Sequence, residues 1–158
     1  MDDTFSFSQF TSRFTNDDIC LEEIKRLRFP NGIRCIVCNK ITTHYRLKGR
    51  SAYSCKFCRN QIYPLAGTLF EKTSTPLRMW FYCMFLLTQT RADISAKQLQ
   101  RELGVTYKTA WRMYTQMKAL MAQNNGDLLF EADEKIRKWT FFNRIEISVV
   151  EKQEVDNN

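Results

Sequence analysis

Two cysteine pairs, Cys35-x2-Cys38 and Cys55-x2-Cys58, are separated by sixteen residues, the ligand spacing of a four-thiolate zinc ribbon. Each pair can turn through a tight knuckle that aims two sulfurs at one ion, and the residues between suffice for a short hairpin leading to the second knuckle. A redox dithiol uses one such pair on a βαβ unit, whereas here two pairs lie in a short, polar, strand-like stretch. Disulfides call for an exported chain, and residues 1–30 lack the basic start and unbroken apolar run of a signal peptide. The expected compartment is therefore reducing and intracellular, with Cys35, Cys38, Cys55 and Cys58 as ligands of a structural Zn2+. Cys20 and Cys83 sit in apolar contexts, Ile19-Cys20-Leu21 and Tyr82-Cys83-Met84, and read as buried small hydrophobes. His44, the only histidine of the chain, reads as an exposed strand residue beside four available thiolates.

The elements that must position those sulfurs belong to a chain of 158 residues, 44% hydrophobic and 13% aromatic, enough for one ordinary domain or two small ones. No stretch reaches the roughly eighteen apolar residues of a membrane span, so no membrane partner is expected. The net charge of +7 is unevenly laid out: between Cys35 and Met121 fourteen Lys and Arg face three acids, giving +11 for that segment. Such a surface attracts a polyphosphate by releasing condensed counterions, although a basic face can also serve solubility alone.

Along the chain, Asn16-Asp17-Asp18 can cap a helix running through Cys20, Leu21, Ile24 and Leu27, ended by Pro30 and turned by Asn31-Gly32. Residues 1–34 form this helical preface, and residues 35–72 the ribbon, with strands at 43–47 and 51–54 about the turn Lys48-Gly49-Arg50. With few large aliphatics of its own, the ribbon would draw most of its folding free energy from metal ligation, roughly 10 to 16 kcal/mol in zinc-finger peptides. In residues 73–123, Thr75 reads as an N-cap and Pro76 as the first helical residue, followed by a half-buried helix through Leu77, Trp80, Phe81, Met84 and Leu87. Ser95 and Gln98 announce a capping box for a second helix ending at Gly104, and a third runs from Thr106 to about Ala122. The two helices about Gly104 have the proportions of a helix-turn-helix, which a plain helical hairpin could also give. On the third helix Tyr107, Lys108, Thr109 and Arg112 would face a major groove, and Trp111 is expected to pack inward. Arg46, Lys48 and Arg50 on the ribbon hairpin complete the expected DNA contacts.

At this point the residues resemble the insertion-sequence transposases with an N-terminal zinc ribbon, related to the eukaryotic Merlin transposons. The resemblance runs over residues 18–134 through Cys20-Leu21, Arg28-Phe29-Pro30-Asn31-Gly32, both knuckles and the hairpin from His44 to Arg50. It continues in order through Ala66 to Phe70, Thr75 to Phe81, Ile94-Ser95-Ala96 and Glu102 to Met113. Ile36 and Asn39 stand where that family's first knuckle has proline and glycine, which alters the turn without removing a ligand.

The resemblance implies a DNA-binding region ahead of a catalytic domain of ribonuclease-H-like fold and DDE type, whose carboxylates hold two Mg2+ ions for strand cleavage and joining. Asp133 in Glu131-Ala132-Asp133-Glu134 matches the family's first catalytic aspartate, with twenty-five residues following it. The expected fold is α+β: a zinc ribbon, a helical helix-turn-helix region and, over residues 124–158, a short β remnant with a flexible tail, including a strand at 147–151. One carboxylate cannot hold two ions, so Asp133 is a vestigial candidate, Mg2+ is expected only for a complete catalytic domain, and strand transfer is not expected of this chain alone. The function so expected is that of a truncated transposase binding double-stranded DNA at transposon ends, with a homo-oligomer as a candidate assembly. The alternative is a standalone transcription regulator or protein-docking adaptor. In a bacterium the protein would work at the nucleoid in the cytoplasm, in a eukaryote in the nucleus.

Overall fold

A computed structural model gives the fold and describes residues 6–89 and 94–123. Asp133, the expected β remnant and the strand at 147–151 lie outside the described residues.

The N-terminal stretch folds as two helices. Ser6 caps α1 (Phe7–Arg13) through a reciprocal box with Gln9, the Gln9 N–H donating to Ser6 Oγ at 3.2 Å and the Ser6 N–H to Gln9 Oε1 at 2.6 Å. Asn16 caps α2 (Asp17–Arg28) by accepting the Ile19 N–H at 3.0 Å. Asp17 and Asp18 in the first turn of α2 and Lys25, Arg26 and Arg28 in the last complement the helix dipole. Cys20, Leu21 and Ile24 form its buried face, as the spacing predicted. The sequence did not announce α1, yet Phe10 packs on Tyr82 and Phe85 with centroids at 5.5 and 5.1 Å, and Phe14 meets Phe81 edge-on at 4.9 Å.

Five short strands follow. β1 (Ile33–Arg34) and β2 (Ile41–Thr42) pair antiparallel, Ile33 opposite Thr42 and Arg34 opposite Ile41. β3 (His44–Arg46), β4 (Tyr53–Cys55) and β5 (Gln61–Ile62) form an antiparallel sheet in that order. Gly49, at φ +75, takes the left-handed step in the β3–β4 turn for which the sequence supplied a glycine. The ribbon leans on α2 at several points. Tyr53, 1% exposed, donates its hydroxyl to the Glu22 carboxylate, and the Lys25 ammonium sits 4.4 Å from the Tyr53 ring centre. Burial works against the Glu22 charge, but hydrogen bonds from Lys25 and Tyr53 outweigh it and hold the carboxyl below its usual range. Arg46 Nη2 reaches Asp18 Oδ1 at 2.8 Å, and Arg28 Nη1 donates to the carbonyls of Pro64 and Ala66, each at 2.6 Å.

Helix α3 (Leu77–Gln89) begins one residue later than the sequence suggested. The Pro76 carbonyl accepts the Trp80 N–H at 3.4 Å, so the proline stands at the cap and not at the first helical position. Helix α4 (Ala96–Leu103) carries the expected Ser95–Gln98 capping box and stops at Gly104, which adopts φ +65. Helix α5 (Tyr107–Gln123) starts from Thr106, whose hydroxyl accepts the Thr109 N–H at 3.3 Å. One buried cluster joins these parts: Phe10, Phe14, Leu21 and Ile24 before the ribbon, Tyr53 and Phe70 from the ribbon and its exit loop, and Leu77, Trp80, Phe81 and Met84 on α3. Leu99 and Leu103 on α4, with Met113, Met117 and Leu120 on α5, close it. Among the described residues no helix is long and apolar enough to cross a membrane.

Candidate metal centre and nucleic-acid interface

Each cysteine pair occupies the bend of a tight hairpin, and the two hairpins repeat one hydrogen-bond pattern. In the first, Cys35 N–H donates to Lys40 O at 2.9 Å and Asn39 N–H to Cys35 O at 2.8 Å. In the second, Cys55 N–H donates to Asn60 O at 2.8 Å and Arg59 N–H to Cys55 O at 3.2 Å. Both knuckles close through a residue in the left-handed region, Asn39 at φ +53 and Arg59 at φ +62. Asparagine tolerates that conformation, so the absence of glycine at position 39 leaves the turn intact, whereas arginine bears the cost of a crowded Cβ. Arg59→Gly is expected to stabilise the zinc-loaded protein by about 0.5–1 kcal/mol, read as a higher urea midpoint, with no gain in Arg59→Ala.

The hairpins bring the four sulfurs within 4.8 Å of one another. Cys35 and Cys58 approach to 3.3 Å and Cys38 and Cys55 to 3.7 Å, each contact joining one knuckle to the other. Zinc–sulfur bonds of about 2.3 Å in a tetrahedron require sulfur–sulfur edges of about 3.8 Å, so the cluster fits the ion. The knuckle amides also favour thiolate: N–H groups of Cys38 and Val37 pull Cys35 down to about 6, and those of Cys58 and Phe57 lower Cys55. Burial pushes Cys38 up to about 11, and a bound dication would offset that cost and leave four thiolates. Zinc is thus a structural cofactor with no open coordination position. Cys20 and Cys83 stand apart in the core, their thiols pushed up to about 12, chiefly by burial, as inert apolar fillers.

His44 is corrected by the structure. It is 6% exposed, not an exposed strand residue, because its strand position opposite the ligand Cys55 turns it inward. Its Nδ1 lies 2.9 Å from Thr42 O, and it does not join the sulfur cluster. Trp111 is likewise corrected: it is 52% exposed, since Ala110, Met113, Met117 and Leu120 already fill the inward face of α5. It stacks instead with Tyr107, also exposed, at 6.3 Å and lies 6.2 Å from Tyr114.

The expected DNA contacts fall into two groups. On the ribbon, Lys48 and Arg50 are exposed at the hairpin turn, while Arg46 is engaged by Asp18 and by the carbonyls of Leu47 and Ala52. On α5, Tyr107 and Lys108 are exposed, and Thr109 is half-buried with its hydroxyl 3.0 Å from that of Thr106. Arg112 is exposed but donates from Nη2 to Thr75 Oγ1 at 2.8 Å, bridging α5 to the head of α3. Residues that sequence reasoning missed are the clamp Arg28 and the pair Glu22–Tyr53. They join segments 31 to 38 residues apart, and no local spacing signals such contacts.

Residues 15–61 match the family described as the transposase zinc-ribbon domain, a span covering both knuckles and all of α2. The ribbon is similar to a transposase zinc-ribbon domain. An uncharacterized protein in transposable element ISH50 of Halobacterium salinarum is 33% identical over 93 residues, covering 56% of this chain and 30% of that relative. The chain therefore spans less than a third of the length of the curated relative it matches. No solved structure matches. Both similarities support a relationship to zinc-ribbon insertion-sequence transposases, and the metal assigned to the transposase ribbon agrees with its four-sulfur geometry.

Proposed function

We propose that the described residues are the DNA-binding region of a transposase-type protein, the ribbon and an α4–α5 helix-turn-helix together engaging duplex DNA at transposon ends. The charge layout carries this reading: residues 24–70 hold ten Lys and Arg and no acid, and zinc ligation fixes that stretch against the helices. Exposed Tyr107 and Lys108 open α5 directly after the Gly104 turn, the end of a reader helix that meets base edges. Lys48 and Arg50 would lie on phosphates, and Arg112 would act partly by holding α5 to Thr75. Among the described residues the four cysteines are the group of metal-ligating side chains that the fold gathers, which supports a binding region organised by zinc.

Selection of bound duplexes from a random pool tests the reading. One enriched motif, bound with strongly salt-dependent affinity, is the expected result; an unenriched pool and no salt-sensitive binding would contradict it. Lys108→Ala should weaken binding to all duplexes and reduce the salt slope by about one, while Arg112→Ala should also relax preference within the motif. Equal affinity and selectivity in both variants would remove them from the interface.

A further inference from the structure

The knuckle tips carry apolar side chains that metal binding does not use. Ile36 is 83% exposed, Val37 64% and Phe57 59%, although the cysteines beside them turn their sulfurs inward to one cluster. The cross-knuckle sulfur contacts of 3.3 and 3.7 Å hold the two tips side by side. The Lys40 ammonium, from the first hairpin, sits 5.1 Å from the Phe57 ring centre on the second. Lys40, Lys56 and Arg59 are exposed around these residues, with no acid nearer in sequence than Glu23 or Glu71.

We propose that the paired tips form an apolar wedge that enters a base step of duplex DNA, Ile36, Val37 and Phe57 against the bases and Lys40, Lys56 and Arg59 on flanking phosphates. This rests on the DNA-binding reading and adds that the bound duplex is kinked. The charge decides the occupant: a protein groove for these side chains would still have to answer Lys40, Lys56 and Arg59, in a stretch with no acid from residue 24 to 70, whereas a polyanion answers all three. Apolar side chains pushed between base pairs unstack them and bend the duplex, which requires a wedge that does not yield. The tips meet that requirement. Each is a two-residue bend closed by backbone hydrogen bonds and flanked by paired strands, and Ile36 and Val37 are β-branched with stiff χ1. Insertion would favour deformable pyrimidine–purine steps.

The test compares the zinc-loaded full chain on two duplexes of one sequence, one fully paired and one already kinked by a single-nucleotide bulge, by fluorescence anisotropy in dilute salt. The wedge predicts tighter binding to the bulged duplex by about ten-fold or more, since its deformation cost is already met. In the triple variant Ile36→Ser, Val37→Ser, Phe57→Ser that preference should vanish while zinc stays at about one per chain. Because these side chains are exposed, the variant is expected to fold, and zinc content verifies that it has. No preference in the wild-type chain, or an equal preference in the variant, overturns the wedge while leaving DNA binding standing. Loss of a dimer in the variant, seen by sedimentation, overturns it in favour of self-association, and failure of the wild-type chain to bind either duplex overturns both readings.

Discussion

Serine at Cys35 or Cys58 is expected to release the zinc and unfold the ribbon. The two sulfurs approach to 3.3 Å across the knuckles, so losing either one breaks a contact between the hairpins and opens the coordination shell. The strands are only two or three residues long, too short to hold as sheets without the ion, and ligation worth roughly 10 kcal/mol or more cannot be replaced by their pairing. Zinc per chain should fall to near zero in both variants. Hydrogen exchange should show the knuckle amides of Asn39 and Arg59 unprotected while those of α5 exchange slowly. Full zinc content with unaltered protection would refute the assignment.

The second large effect concerns two tryptophans that share the helical pattern and differ in environment. Trp80 is 1% exposed, meets Phe70 edge-on at 5.8 Å and donates its Nε1–H to Thr73 Oγ1 at 3.1 Å. It sits where the ribbon's exit loop joins the helices. Trp80→Ala should therefore cost about 3–5 kcal/mol, much of the stability of a small domain, and leave the Thr73 hydroxyl without that donor. Trp111→Ala, at an exposed site, should change stability by about 0.5 kcal/mol or less. Urea unfolding of the zinc-loaded variants measures both, and equal losses would show that the burial of these helices is wrongly assigned.

The contrast also shows what was legible in the sequence. Zinc ligation was legible because it depends on spacing: two knuckles of fixed size leave little freedom in where four sulfurs can go. The α4 capping box and its glycine stop were legible for the same reason, since caps act within four residues. Trp111 was misread because periodicity shows that a helix has an apolar face but not how wide that face is, and Ala110 and Met113 had already filled it. His44 was misread because a strand of three residues gives no alternation from which to tell inside from outside. Helix α1 went unseen because its burial rests on one turn-spaced pair, Phe10 and Phe14, against aromatics some seventy residues away in sequence. The positive φ at Arg59 carries no sequence signal, because arginine is not a residue that the conformation selects.

The central claim is that four sulfurs grip one zinc and thereby fix an acid-free, cationic ribbon where duplex DNA can meet it together with α5. The most direct measurement is duplex affinity by fluorescence anisotropy in dilute salt, taken on one preparation when zinc-loaded, after chelation and after zinc is restored. Strong binding, loss of at least about ten-fold on chelation, and recovery with about one zinc per chain are expected. Affinity that is unchanged by removing the metal would contradict it.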